Sequence, residues 1–119
     1  MVRQPGSDSR ELSLLAARLM QEKKTHDVVL LETGKVSIIA DYFLIGTGNS
    51  RVQIRAICDH LRQQLKDNGY LPIRVEGYRE GYWVLMDYGA LVIHLFQPEA
   101  RDFYDLERLW SRAPQVEGL

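Results

Sequence analysis

Val28, Val29, Leu30 and Leu31, and again Tyr42, Phe43, Leu44 and Ile45, are two unbroken apolar runs, the first rich in β-branched residues. A strand with one wet face alternates apolar and polar residues, whereas a short unbroken run reads as a strand buried on both faces. Whatever sheet holds these strands must therefore be covered on both sides. Two amphipathic helices are available to do it. Leu12, Leu15, Ala16, Leu19 and Met20 recur at i, i+3, i+4, i+7 and i+8, one face of a helix. Asp8 or Ser9 can cap that helix, Asp8 with Glu11 forming a capping-box pair, and Lys23 and Lys24 suit its negative C-terminal end. Ile54, Ile57, Cys58, Leu61 and Leu65 make a second stripe, with Ser50 and Gln53 at capping-box positions before it and Asn68-Gly69 to stop it.

The rest of the chain supplies three more strands and one more helix. Residues 42–47 complete the second strand already named, and residues 73–76 read as a third, short one, with a polar turn over 77–81. Residues 82–87 and 91–96 form a hairpin around Asp87-Tyr88-Gly89, where Gly89 can take the positive φ such turns need. Gln97-Pro98-Glu99 opens the last helix, proline at its first position, with Phe103, Leu106, Leu109 and Trp110 as its apolar stripe. The order α-β-β-α-β-β-β-α predicts an α/β fold: a mixed five-stranded sheet flanked by helices. At 119 residues this is one domain. The expected division is a flexible start over 1–8, the α/β domain over 9–112 and a frayed tail over 113–119.

Several chemistries find no residues to carry them. Cys58 is the only cysteine, which leaves no intrachain disulfide and no cysteine zinc site, and its place on a helix stripe suggests a core thiol. His26, His60 and His94 are scattered, with no paired metal-ligand spacing and no nucleophile–base set, so neither metal nor cofactor is expected. There is no apolar stretch of the ~18 residues a membrane span needs and no signal-peptide pattern at the start, so the expectation is a cytoplasmic protein without membrane contact. Gly46-Thr47-Gly48-Asn49-Ser50 lies between a strand and a helix N-terminus, where backbone amides could hold a phosphate. Nucleotidyltransferases place two or three Mg²⁺-binding carboxylates beside such a loop, and the following hairpin strand offers Asp87 alone. A plain capped turn explains the glycines better. The alternative, a nucleotide-binding or nucleotidyltransferase-like enzyme using Gly46 to Ser50, would need a Mg²⁺-dependent nucleotide effect.

Charge is more informative. The net charge is −1, yet residues 76–110 hold seven acids and three arginines, a local −4 that leaves +3 elsewhere. Phosphate backbones demand clustered lysine and arginine, so this end suits a basic protein rather than RNA. Strand alternation puts Trp83, Leu85 and Asp87 on one hairpin face with Val92, His94 and Phe96, opposite an aliphatic face. An indole, a carboxylate and an imidazole together, with Tyr88 at the turn, are interface chemistry: aromatic anchors in a polar rim.

Glu76-Gly77, Gly81, Trp83-Val84-Leu85, Asp87-Tyr88-Gly89, His94-Leu95-Phe96, Arg101, Phe103-Tyr104, Leu106-Glu107 and Leu109-Trp110 together resemble the ribosome-silencing factors, also called Iojap-like proteins. Glu22-Lys23-Lys24, Asp27-Val28-Val29, Ala40-Asp41-Tyr42-Phe43 and Gly48-Asn49-Ser50 agree, so the likeness runs from about Leu12 to Ala113. The resemblance implies a fold related to nucleotidyltransferases without their catalytic acids, and no enzymatic activity. It implies binding to ribosomal protein fourteen of the large subunit, a block on subunit joining, lowered translation when nutrients are scarce, and a homodimer when free. Ala90 departs from the family, many of whose members carry an acid there. On this reading Trp83, Asp87 and Tyr88 are the expected contacts, with His94, Tyr104 and Glu107 beside them, while Phe96, Arg101 and Trp110 hold the last helix to the hairpin. A small dimeric scaffold for a non-ribosomal partner is the remaining reading.

Overall fold

In a computed structural model that describes residues 7–119, five strands form one mixed sheet in the order β1-β2-β5-β4-β3. They are β1 (His26–Leu31), β2 (Tyr42–Thr47), β3 (Arg74–Glu76), β4 (Trp83–Asp87) and β5 (Leu91–Phe96). The pairings are antiparallel except that of β2 with β5, which is parallel and joined by the crossover through helix α2 (Arg51–Asp67). Every residue of β2 and β5 is buried, as the unbroken apolar run of β2 requires.

One face of the sheet packs on α1 (Ser7–Gln21) and α2, whose stripes meet Leu30, Leu44, Val84, Met86, Leu91, Ile93 and Leu95. All five residues of the α2 stripe are fully buried, and each aliphatic member contributes about 1.5–3 kcal/mol by leaving water. Ser50 caps α2 by accepting the Gln53 N–H at 3.1 Å. The Gln53 side chain returns to the N–H of Asn49 rather than that of Ser50, one residue earlier than the capping-box pattern. Asn68 caps the other end, and Gly69 takes φ +89. The second face carries Leu31, Phe43, Ile45, Val92 and Phe96, covered by α3 (Pro98–Tyr104), α4 (Leu106–Leu109) and Ala113.

Three expectations change. Of the start over 1–8, residues 1–6 lie outside the described residues, and Ser7 and Asp8 are already helical. The single last helix is two short ones, because Asp105 adopts a left-handed φ of +46 between them. That break turns Phe103 and Leu109 out to solvent, at 79% and 75% exposure, so only Leu106 and Trp110 of the expected stripe pack inward. The third change concerns the tail. It is not frayed over 113–116: the Glu32 N–H donates to the Pro114 carbonyl and the Val116 N–H to the Leu30 carbonyl, both at 2.8 Å. Leu31 and Gln115 form an antiparallel bridge, and Ala113 and Val116 are buried. The cause is β1, an edge strand whose unpaired backbone groups would otherwise face water; Pro114 lacks an N–H but still offers its carbonyl.

Candidate functional site

The register of the sheet aligns the second face in rows. Thr47, Phe96 and Trp83 lie side by side at one end, then Ile45, His94 and Leu85, then Phe43, Val92 and Asp87. Helices α3 and α4 cover the β2–β5 part of this face but leave Trp83 and Leu85 half-buried. The indole of Trp83 stacks on Phe96, with ring centroids 5.1 Å apart and planes at 28°, and meets Tyr104 at 4.6 Å. Its N–H donates to Nδ1 of His94 at 3.1 Å. Tyr104, 42% exposed, carries Phe103 edge-on at 5.1 Å. Trp83, Tyr104 and Phe103 thus form an aromatic ledge at the β4 side of the sheet. Residues 98–109 hold Glu99, Asp102, Asp105 and Glu107 against Arg101 and Arg108, a formal −2, and Asp102, Asp105 and Glu107 face the β1 side with Asp27, Val28 and Val29.

His94 lies underneath, not on, this ledge. It is 3% exposed, 4.9 Å from Phe43 between ring centroids. Since Nδ1 accepts from Trp83, the ring is neutral with its proton on Nε2. Burial pushes its pKa down to about 4, which keeps it neutral at pH 7. Among the described residues the Nε2 atom has no hydrogen-bond partner, a deficit that costs roughly 1–3 kcal/mol. His94, expected among the contacts, lies on the expected strand face, and Phe43, Trp83 and Phe96 cover its ring.

Arg101 ties the ledge to the sheet. Its guanidinium makes two bonds to the Glu107 carboxylate, at 2.9 and 3.0 Å, and donates from Nη1 to the Asp27 carbonyl at 2.7 Å and Thr47 Oγ1 at 2.8 Å. This side chain joins α3, α4 and the ends of β1 and β2, so Arg101 ties these helices to β1 and β2 where the expectation was the hairpin. Glu107, expected as a contact, has both oxygens on Arg101 and so serves the clamp first. Asp87 sits at the far end of the same sheet face, where it accepts from the Gly89 N–H at 2.8 Å and pairs with Arg74 at 3.3 Å. Tyr88 faces the other way. It packs against the α1–α2 core with its hydroxyl buried and unpartnered, and burial raises that hydroxyl's pKa to about 12. Simple alternation past Asp87 puts position 88 on the face of Val84 and Met86, the signal that would have found this.

The glycines of the loop before α2 have a packing reason. A Cβ on Gly46 would lie 2.5 Å from Met20 Sδ and 2.6 Å from Thr25 Cγ2, and one on Gly48 would lie 2.9 Å from Ile54 Cδ1. Asp87 is at the opposite end of the sheet from this loop, since β4 pairs its Trp83 end with Phe96 and Thr47. No group of three or more His, Cys, Asp or Glu suited to a metal ion occurs among the described residues. No helix among them is long and apolar enough to cross a membrane. What the site offers chemically is contact: an aromatic ledge of Trp83, Tyr104 and Phe103.

Comparison with known proteins fits this picture. Residues 6–118 match the family model described as ribosomal silencing factor during starvation. The chain is 42% identical to a ribosomal silencing factor of Halalkalibacterium halodurans, over 92% of this chain and 93% of that one. It is 37% identical to that of Bacillus subtilis, over 90% and 91%. A crystal structure of a Chromobacterium violaceum protein superposes with a TM-score of 0.83 at 34% identity, covering 86% of this chain and 85% of the other.

Proposed function

This chain belongs to the ribosomal silencing factor family, and from that premise we propose that it binds the large ribosomal subunit through ribosomal protein fourteen and so keeps the small subunit from joining. The mechanism is steric. A domain 36 × 33 × 26 Å across, seated on the subunit face, occupies space the other subunit needs. The outcome is repression of translation when nutrients are limiting, by a cytoplasmic protein without enzymatic activity of its own that pairs as a homodimer when free.

The observation that carries this reading is the ledge itself: half-buried Trp83 backed by Tyr104, with exposed Phe103 edge-on against Tyr104. A rigid aromatic cluster left partly open to solvent suits an anchor contact. A basic ribosomal protein complements the net negative charge of residues 98–109. Trp83 and Tyr104 are the central contacts, Phe103 is added to them, and Glu107 and Asp87 lie farther out. His94 supports Trp83 from within, while Tyr88 packs on the opposite face of the sheet.

Co-sedimentation of Trp83→Ala with purified large subunits tests it. Truncating a true anchor costs on the order of 2 kcal/mol or more, roughly thirtyfold in affinity. A folded Trp83→Ala that co-sediments as well as the unaltered protein removes Trp83 from the contact. Affinity that does not weaken between low and moderate salt removes the charge argument.

A further inference from the structure

An imidazole buried under an aromatic ledge with one nitrogen unpartnered needs a reason, because a hydrocarbon side chain of similar shape would fill the space without leaving a stranded donor. The reason lies at its other nitrogen. Trp83 and His94 are diagonal neighbours on one sheet face, since Trp83 is paired with Phe96 and Leu85 with His94. Diagonal side chains on adjacent strands reach each other when they are long or aromatic, and here the indole N–H meets Nδ1 at 3.1 Å. Phe96 beneath the indole and Tyr104 beside it fix the ring plane, at 5.1 and 4.6 Å. Neither can choose between the two edges of the indole. His94 can, because it supplies an acceptor on one side only.

We propose that His94 is a positioning residue for Trp83: by taking the indole N–H internally, it makes Trp83 meet its partner as a preset hydrocarbon face and not as a hydrogen-bond donor. The partner chemistry follows. An indole whose N–H is already used recognises an aliphatic side chain or a lysine or arginine laid over the ring, and has nothing to offer a carbonyl or carboxylate. The proposal rests on the docking reading of the ledge, and it adds which part of Trp83 is presented and what selects it. Presetting the ring also removes the ordering cost an unfixed tryptophan would carry into binding.

Two replacements separate positioning from mere filling. His94→Leu fills the space without an acceptor, and His94→Gln returns an acceptor oxygen without an aromatic ring. Two-dimensional ¹⁵N–¹H spectra report the indole N–H of Trp83, told from that of Trp110 by the loss of its peak in Trp83→Phe. The expected result is that His94→Leu moves the Trp83 indole peak upfield and exchanges it faster with solvent. It also weakens binding to large subunits about tenfold, mostly through faster dissociation, and His94→Gln recovers affinity to within about threefold. Normal binding by folded His94→Leu overturns the proposal, as does weakened binding with the indole peak unmoved. Should neither variant fold, the unaltered protein still decides: long-range ¹⁵N spectra must show His94 protonated at Nε2 with Nδ1 as acceptor, and the reverse tautomer overturns it. Failure of the docking reading looks different, because Trp83→Ala would then bind normally while the tautomer and the indole peak remain as expected.

Discussion

Acidifying the protein should unfold it earlier than its carboxylates alone require, and His94 sets how much earlier. Its folded pKa of about 4 lies below the 6.5 of an unhindered histidine, because burial disfavours the charged ring. Between those two values the unfolded chain holds a proton that the folded protein refuses, so stability rises with pH across this window. The contribution is fully present above about pH 6.5 and is lost as pH falls toward 4. The gap, at roughly 1.4 kcal/mol for each pH unit, comes to about 3 kcal/mol, a large part of the 5–15 kcal/mol typical of a whole domain. Urea unfolding followed by circular dichroism at several pH values between 7 and 4.5 measures it, with His94→Gln as the reference that cannot titrate. Carboxylates and the other histidines are common to both proteins and cancel in the difference. The stability of the unaltered protein should fall toward that of His94→Gln, closing by 2–3 kcal/mol as the pH drops. Parallel curves would refute the reasoning, for they would mean that water or a carboxylate reaches the ring and its burial is not what the structure shows.

Arg101→Met should cost about 2 kcal/mol in a urea titration, since Thr47 Oγ1 and the Asp27 carbonyl lose a charged donor while the partly exposed Glu107 can turn to water; Glu107→Gln, which keeps one acceptor, should cost half that or less. Gly77→Ala should lower stability by roughly 2–3 kcal/mol in thermal melts, because φ is +80 and the added Cβ would overlap the Trp83 carbonyl oxygen. Gly69→Ala, at φ +89 with open space around it, should cost only about 1 kcal/mol. Removing residues 113–119 should lower the melting temperature and produce concentration-dependent association in light scattering, because it uncovers the β1 edge and the sites of Ala113 and Val116.

The parts legible in the sequence were those written by local periodicity. The α2 stripe, Ile54 through Leu65, is buried residue for residue because a 3.6-residue repeat needs no knowledge of the remaining chain. The two faces of the hairpin follow from period-two alternation, and the buried run of β2 announced a strand with cover on both sides. What could not be read depends on a second segment. His94 sits on the expected face, yet its burial comes from Phe43 and from Trp83 held by Tyr104. The positive φ of Asp105, which turns Phe103 and Leu109 outward, carries no glycine or asparagine to announce it. The tail was misjudged because Pro114 and Gly118 suggest irregular chain, while the demand that orders residues 113–116 originates in β1. The face that Tyr88 takes was legible, since alternation already assigned it.

The strand order has a consequence for how this protein comes into being. The middle strand of the sheet is β5, the last of the five to be synthesised, and the parallel partner it completes, β2, was made before α2, β3 and β4. Until Phe96 has emerged, β2 has β1 on one side and nothing on the other, and the stripes of α1 and α2 have only part of a floor to rest on. The clamp from Arg101 and the pairing of residues 114–116 with β1 come later still. Contacts of such long sequence separation cannot be made piecemeal during elongation. A member of a ribosomal silencing family thus completes its own core only after the segment up to Val116 has left the ribosome that made it.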